Sequence, residues 1–201
     1  MSNTNVDERT YRVEGPVTPE RLAALQIDPS IKNFRPAELQ KNALIEIASD
    51  AICKVFIAVS GEEITGYVAF HLPHELTRWA RLPYIIELGA IEISPRWRGR
   101  GVAKELVKAA AADGFMRKHI VTSLEYAWHW DLRGTGLDIW SYQNVLFKLF
   151  SSVGFEVFRT DDPDILEHPA NLFMVRIGED ITDEQRKEFM SLLFLGEKWN
   201  Y

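Results

Sequence analysis

One segment of the chain, residues 91–103, constrains the fold and the function more than any other. It follows an apolar run that predicts a strand, holds three arginines and two glycines, and leads into an amphipathic run that predicts a helix. Arg98, Gly101 and Ala103 supply an R-x-x-G-x-A pattern at this junction. Glycines let the backbone approach a ligand closely, and the N-terminus of a helix favours a phosphate. The segment therefore predicts a strand–turn–helix unit that binds a pyrophosphate.

Other nucleotide-binding motifs fit this segment poorly. The third glycine of the dinucleotide-binding fingerprint is missing, and no Gly-Lys-Ser or Gly-Lys-Thr follows as in a P-loop. The structural alternative is a basic loop whose glycines only allow the chain to turn.

Length and composition limit the number of domains and the classes of partner that the chain can have. The chain has 201 residues, 46% of them hydrophobic, so we expect one domain with a sizeable core. The net charge of -6 argues against nucleic acid as the main partner, because a duplex-binding protein needs a basic face. No apolar stretch approaches the ~20 residues that cross a bilayer, and the N-terminus lacks the pattern of a signal peptide. We therefore expect no membrane partner and a cytoplasmic location.

Hydrophobic periodicity predicts strands and helices in mixed order along the chain. The predicted strands cover residues 11–13, 52–59, 64–70, 84–93, 119–125, 155–159 and 172–177. The predicted helices cover residues 19–25, a segment that begins at 35–36, then 102–115, 140–151 and a last helix that a capping box opens at 182–185 and that ends at 194. Hairpins combined with β-α-β crossovers predict an α/β (mixed α+β) fold, with a mixed sheet and helices on both faces.

The domain organisation follows from the same pattern. We expect residues 1–10 to be frayed or disordered and residues 11–178 to form one domain. Residues 179–201 are expected to form a C-terminal helix and tail packed on that domain.

The glycine segment resembles motif A of the GNAT N-acetyltransferase family, in the run Ser94-Pro95-Arg96-Trp97-Arg98-Gly99-Arg100-Gly101-Val102-Ala103. Gly154-Phe155 is similar to a later signature of that family. The resemblance implies the GNAT fold with a central, mostly antiparallel sheet, acetyl-CoA as co-substrate and no metal. It assigns cofactor binding to Ile91, Ile93, Arg98, Gly99, Arg100, Gly101, Val102, Ala103 and Asn144.

A narrower resemblance covers most of the chain. The segments 125–137, 160–163, 168–171 and 86–92 are similar to the acetoin-utilization acetyltransferases of bacilli. That resemblance implies a protein lysine N-acetyltransferase that acetylates acetyl-CoA synthetase and lowers its activity. Two alternatives stay open: the same fold acting on a small amine or a protein N-terminus, and a regulatory module that holds acetyl-CoA and inhibits its partner by docking.

The reaction requires a neutral amine, and this points to a carboxylate base. A free lysine has a pKa of about 10.4, so deprotonation at pH 7 costs about 4.6 kcal/mol. Glu87 is the candidate base, because by resemblance it matches the strand glutamate that serves as base in histone-type members. Strand alternation puts Glu87 on one face with Ile91 and Ile93 and points Glu92 to the other as a structural carboxylate. A bulge at Gly89 would shift that alternation.

Two further catalytic roles are less well defined by the sequence. The N–H of Ile91 is expected to stabilise the thioester carbonyl as negative charge develops. Phe150 occupies the position where many relatives have a tyrosine acid. Tyr142 and Tyr126 are substitutes, and a reaction without a dedicated acid is the other alternative.

Residues 127–140 form an irregular run rich in tryptophan that is typical of a recognition loop. We assign acceptor binding to Trp128, His129, Trp130 and Asp131, with His129 as a second candidate base. The alternative is an aromatic satellite core. The acidic run at 161–167 is either a surface that attracts a lysine-bearing partner or a solvated loop. A homodimer through the C-terminal helix is one alternative for the oligomeric state.

Overall fold

A computed structural model describes residues 10–196 of the chain. The predictions for residues 1–9 and for the tail at 197–201 fall outside these described residues. No helix between residues 10 and 196 is long and apolar enough to cross a membrane.

One sheet of eight strands organises the described part of the chain. The strands are β1 (Arg12–Glu14), β2 (Gln26–Ile27), β3 (Lys54–Ser60), β4 (Glu63–His71), β5 (Ile85–Ile93), β6 (Ile120–Glu125), β7 (Glu156–Val157) and β8 (Leu172–Ile177). Their order is β1-β3-β4-β5-β6-β8-β7, and β2 pairs with β4 beside this path. The β2–β4 and β5–β6 pairs are parallel and the others are antiparallel. The prediction of a mixed, mostly antiparallel sheet is confirmed.

Between residues 10 and 196, seven α-helices connect and cover the strands. They are α1 (Pro19–Ala24), α2 (Ala37–Ala48), α3 (Val102–Ala112), α4 (Leu132–Thr135), α5 (Ile139–Ser151), α6 (Pro163–Leu166) and α7 (Asp183–Leu192). Their starts follow local chemistry: the Thr18 side chain caps α1, that of Asp138 caps α5, and Thr182 with Gln185 forms the predicted capping box of α7.

Several predicted boundaries are wrong by two or three residues, among them the end of the last helix, which is Leu192 and not residue 194. The helix predicted over 102–115 ends at Ala112, because Gly114 takes a left-handed φ of 91° and starts a 3-10 turn at Phe115–Lys118. The strand predicted over 155–159 is reduced to β7. The strand predicted from residue 52 begins at Lys54. The two-residue strand β2 has no apolar alternation that could have predicted it.

Helices cover both faces of the sheet, as predicted. On one face, α3 and α5 bury residues such as Leu106 and Phe150 against Phe70 and Val121. On the other face, α1 and α2 pack on β3 and β4, and α7 buries Phe189 against β6 and β8. The C-terminal helix is thus packed on the same sheet as the rest of the chain.

The sheet opens at its centre, and this opening positions the site. Strands β5 and β6 pair only over three residues, 85–87 with 120–122, although β5 continues to Ile93 and β6 to Glu125. Past residue 87 the two strands therefore diverge. The edge of β5 that faces β6 is left free of strand pairing beyond this point, which makes backbone groups there available to a ligand.

Candidate active site

The glycine turn leads directly into α3 and leaves the first turn of this helix open. Gly99 and Gly101 have φ values of 74° and 84°, a left-handed conformation that favours glycine. Gly101 is the N-cap of α3, and no side chain of residues 10–196 caps the helix. The N–H groups of the first helical turn, with the positive end of the helix dipole, are thus available to an anion. This geometry fits the pyrophosphate of acetyl-CoA.

A groove of about 690 Å³ runs from this turn toward the opening in the sheet. It brings together seven of the nine residues to which the family resemblance assigned cofactor binding: Ile91, Ile93, Arg98, Gly99, Gly101, Val102 and Ala103. The other two do not line it. Arg100 stacks over the indole of Trp97 at 5.5 Å, and Asn144 is exposed on α5. A role of Arg100 or Asn144 in cofactor binding stays a prediction.

Arg98 connects the glycine turn to the tryptophan-rich segment. Its Nε donates to the Ile93 carbonyl at 3.2 Å, and its Nη2 donates to Asp131 Oδ2 at 2.7 Å. Asp131 Oδ1 also accepts the Gly134 N–H and caps α4. Asp131, predicted to bind the acceptor, therefore lines the cofactor groove and fixes its wall.

A bulge at Gly89 reverses the side-chain alternation of β5. The pairing of β4 with β5 shifts between positions 88 and 90, so Gly89 has no partner residue. Ile91 and Ile93 pack against the core on the α3 side, whereas Glu87 and Glu92 lie on the opposite face. The prediction that Glu87 shares a face with Ile91 and Ile93 is wrong, and the bulge is the reason.

Glu92 is structural, as the sequence analysis expected. It is 6% exposed and accepts the N–H groups of Lys32 and Asn33 at 2.8 Å each, and the Tyr67 hydroxyl at 3.3 Å. Burial raises its pKa, and these hydrogen bonds oppose the rise. Glu92 thereby anchors the loop before α2 to the sheet.

The surroundings of Glu87 are partly apolar and partly charged. Burial raises the pKa of Glu87 and the carboxylate of Asp162 adds to the rise, while His71 and His74 oppose it. The imidazole of His71 lies against Gly89, where a Cβ would collide with its Nε2 atom. The Nδ1 atom of His71 is 2.7 Å from the Leu72 carbonyl, which fixes the ring.

A second, smaller cavity of about 50 Å³ meets the groove at the opening between β5 and β6. Asn33, Ile91, Tyr142 and Leu146 line both spaces. The smaller cavity is otherwise lined by Phe34, Gly89, Ala90, Leu124, Glu125, Tyr126, His129 and Trp130. We call it the acceptor cavity, because it lies where an amine could meet a thioester held in the groove.

The tryptophan-rich segment divides between core and surface. Trp130 is 9% exposed and stacks on Tyr142 with ring centroids 5.3 Å apart. Trp128 is 52% exposed and stacks on Tyr126 at 4.6 Å, and His129 meets Phe34 edge-on. Of the four predicted acceptor residues, His129 and Trp130 line the acceptor cavity, while Trp128 lies on the adjacent surface.

Glu125 is the residue of this site that the sequence analysis missed as a catalytic candidate. It is the last residue of β6 and lines the acceptor cavity. Burial raises its pKa to about 7, the charge of Glu87 adds to the rise, and contacts with Ser123 and Trp130 oppose it. The available signal was a glutamate at the end of an apolar strand, immediately before an aromatic run.

The tyrosines near the opening are protonated at neutral pH. Burial raises the pKa of Tyr142 and that of Tyr126 above the ordinary value of 10, and nearby carboxylates add to the rise for Tyr126. Tyr142 lines both spaces, whereas Phe150, on the same helix, is fully buried in the core.

The acidic run at 161–167 is partly neutralised. Asp161 forms a salt bridge with Arg78, and Asp162 lies 3.8 Å from the same guanidinium and caps α6. Among residues 10–196 no group of three or more His, Cys, Asp or Glu side chains has the arrangement of a metal site.

Comparison with known proteins identifies the family. The Acetyltransferase (GNAT) family matches residues 20–130, which is more than half of the chain. The chain belongs to the GNAT acetyltransferase family. This GNAT protein is therefore an N-acetyltransferase, as the glycine turn and the groove indicated.

Three individual proteins show how similar this chain is to known relatives and structures. The acetyltransferase is 41% identical over 184 residues to the acetoin utilization protein AcuA of Bacillus licheniformis, covering 90% of this chain and 88% of that protein. The crystal structure of an acetoin utilization protein from Exiguobacterium sibiricum matches with a TM-score of 0.88 and 37% identity, over 94% of this chain and 96% of that one. The protein yncA of Salmonella typhimurium, solved with acetyl-CoA, shares the fold, with a TM-score of 0.54 and 16% identity over 86% and 96% of the chains.

Proposed function

We propose that this GNAT enzyme is an acetyl-CoA-dependent protein lysine N-acetyltransferase of acetoin utilization that acetylates acetyl-CoA synthetase and lowers its activity. The observation that carries the proposal is the junction at Ile91 and Tyr142, where the groove that fits acetyl-CoA meets a cavity with carboxylate and aromatic walls. The likeness to proteins named for acetoin utilization supports the metabolic setting.

The residues of the groove would hold acetyl-CoA by backbone and side-chain groups together. The open first turn of α3 would receive the pyrophosphate, and the free edge of β5 would receive the pantetheine arm. Acetyl-CoA supplies an acetyl thioester. The Ile91 N–H would then stabilise negative charge on the thioester oxygen.

Glutamate supplies the base in this proposal. Glu87 lies on the face opposite the groove. In this proposal the ammonium enters from that face, and the Glu87 carboxylate takes its first proton. Because deprotonating a lysine at pH 7 costs about 4.6 kcal/mol, a nearby carboxylate with a raised pKa lowers the barrier substantially. Tyr142, protonated at neutral pH, would give a proton to the departing thiolate.

A flexible, unhindered amine fits the acceptor cavity better than a bulky one. Its wall carries the rings of Phe34, Tyr126 and His129, and its volume is only about 50 Å³. Aromatic faces and carboxylates both attract an alkylammonium group. Trp128 on the adjacent surface supplies an exposed contact for the protein that carries the lysine. A cytoplasmic location and a homodimer stay predictions.

The direct test combines intact mass with enzyme activity. The purified protein is incubated with acetyl-CoA and acetyl-CoA synthetase, and both the mass and the activity of the synthetase are followed. We expect a gain of one acetyl group, located on a lysine, with a parallel loss of activity. Inhibition without a mass gain would support docking instead. If the synthetase neither gains mass nor loses activity, it is not the substrate.

The Glu87→Gln variant separates catalysis from docking. If inhibition depends on acetyl transfer, this variant loses both turnover and inhibition. If inhibition comes from docking, the variant loses turnover alone and still inhibits the synthetase.

A further inference from the structure

Two protons leave the acceptor nitrogen during the reaction, and the structure offers two carboxyl groups. Glu87 lies on the face from which the acceptor amine is proposed to enter, and it is not among the residues that line the acceptor cavity. Glu125 lines that cavity together with Ile91 and Tyr142. The two glutamates therefore occupy different positions along the path of the amine.

The position of Glu125 follows from the opening of the sheet. It lies three residues beyond Thr122, the last residue of β6 that pairs with β5. Its strand is still held on the other side, where Glu125 pairs with Leu172 of β8. Glu125 thus stands across the opening from the segment 89–91 of β5, on a rigid strand.

The carboxyl group of Glu125 faces the groove side of the sheet. Residues 121, 123 and 125 share a face by strand alternation, and Val121 packs in the core beneath α3 and α5. Ser123 Oγ donates to Glu125 Oε1 at 2.6 Å, which agrees with this alternation. The Ile91 side chain points to the same face. The Glu125 carboxyl and the proposed thioester site therefore lie on the same side of the sheet.

The partners of Glu125 leave it able to accept a proton. Within residues 10–196 it forms no salt bridge, and the hydrogen bond of ordinary geometry that it accepts comes from Ser123. The indole Nε1 of Trp130 is buried and makes no hydrogen bond of ordinary geometry in that range, but it lies close enough to the Glu125 carboxyl to lower its pKa. The carboxyl is therefore held in place by two neutral donors and by no cation.

We propose that Glu125 is a second catalytic carboxyl group, one that takes the last proton from the acceptor nitrogen as the acetyl group is transferred. The inference rests on the proposed function and assigns its proton steps. Glu87 takes the first proton from the ammonium and leaves a neutral amine. The nitrogen–carbon bond then forms, Glu125 removes the second proton, and the carbon–sulfur bond breaks with its electron pair leaving on sulfur. The thiolate receives a proton from Tyr142 or from solvent.

The electrostatic surroundings suit this role. Four titratable groups lie near Glu125: Tyr126, His129 and Tyr142 line the acceptor cavity with it, and Glu87, on the other face of β5, is close enough for its charge to raise the pKa of Glu125. Burial and the charge of Glu87 bring the pKa of Glu125 to about 7. A base with this pKa is ionised to a useful extent at neutral pH and still binds a proton well.

The test compares Glu125→Gln with Glu87→Gln and with Glu156→Gln, an exposed control on β7. Thiol release from acetyl-CoA is measured from about pH 5.5 to about pH 9, with acetyl-CoA synthetase and with poly-L-lysine as acceptors. We expect Glu125→Gln to lower kcat about 100-fold, to leave the acetyl-CoA Kd unchanged, and to abolish the rise in rate near pH 7. Glu156→Gln should match the wild type.

The outcomes separate this inference from the proposed function. A wild-type kcat and pH profile in Glu125→Gln, with either acceptor, would overturn the role of Glu125. Transfer to poly-L-lysine but not to the synthetase would overturn the proposed partner. The kcat and pH profile of Glu125→Gln with poly-L-lysine would then still support or refute the role of Glu125. A carbon-13 titration of Glu125 requires no acceptor: a midpoint near 7 supports the inference, and one near about 4.3 contradicts it.

Discussion

The cofactor groove and the acceptor cavity meet at Ile91 and Tyr142, but the chain builds them in different ways. The anion-binding end of the groove comes from one continuous stretch, in which Gly99 and Gly101 set the turn and the start of α3 supplies backbone N–H groups. The cavity comes from side chains that are far apart in sequence, from Asn33 to Leu146.

This difference explains why the cofactor groove could be predicted from the sequence and the acceptor cavity could not. A site made of backbone groups depends on a local conformation, and a local conformation depends on a short motif with glycines at fixed positions. A site made of side chains depends on which strands become neighbours and on the side to which each residue points. Those two properties are fixed only by tertiary structure.

The largest expected effect is a loss of stability at the β5 bulge, where Gly89 lines the acceptor cavity. In Gly89→Ala the new methyl group collides with the His71 imidazole, so we expect a loss of about 3 kcal/mol in the free energy of unfolding. Urea denaturation measures this loss. The double variant Gly89→Ala with His71→Ala removes the collision and should recover part of the stability. Equal stability of the two variants would show that the ring does not restrict this position.

The next effect concerns the groove side. Gly101→Val forces a β-branched residue into a left-handed conformation and displaces the first turn of α3. We expect the Kd for acetyl-CoA to rise about 50-fold, the equivalent of one charged hydrogen bond lost. Gly114→Val is the matched control: Gly114 has a φ of 91° and open space around it, but it does not line the groove. An equal loss of affinity in both variants would contradict the role of the turn.

A smaller effect concerns Asp28, in the segment between β2 and α2. Asp28 is buried and accepts hydrogen bonds from Ser30, Ser94 and Arg96, which outweigh the effect of burial and lower its pKa from 3.8 to about 2. Because the folded-state pKa lies below the unfolded one, the stabilisation is complete above about pH 4 and is lost as the pH falls toward 2.

Asp28→Asn should therefore lower the free energy of unfolding by about 2 kcal/mol at neutral pH. The difference between wild type and variant should shrink as the pH is lowered through this range. Denaturation curves at several pH values measure it. A difference that is independent of pH would mean that the contribution of Asp28 is not electrostatic.

Much of the fold could be predicted from the sequence, because periodicity and caps are local. The capping residues Thr18 and Thr182 and the strand Leu172–Ile177 are where the pattern indicated. The sequence marked Gly89 as the place where a bulge would change the face of Glu87, but it could not decide whether the bulge forms, and the unpaired Gly89 does reverse the alternation. Glu125 escaped notice for a related reason: its role depends on the divergence of β5 from β6, which no local pattern encodes.

The most direct test of the proposed site is a crystal structure with a conjugate that joins CoA to the side chain of a lysine peptide. We expect the pyrophosphate at the first turn of α3 and the lysine side chain in the acceptor cavity, between Gly89 and Glu125. A lysine side chain that enters along the cofactor groove, away from Glu125, would contradict the proposed site.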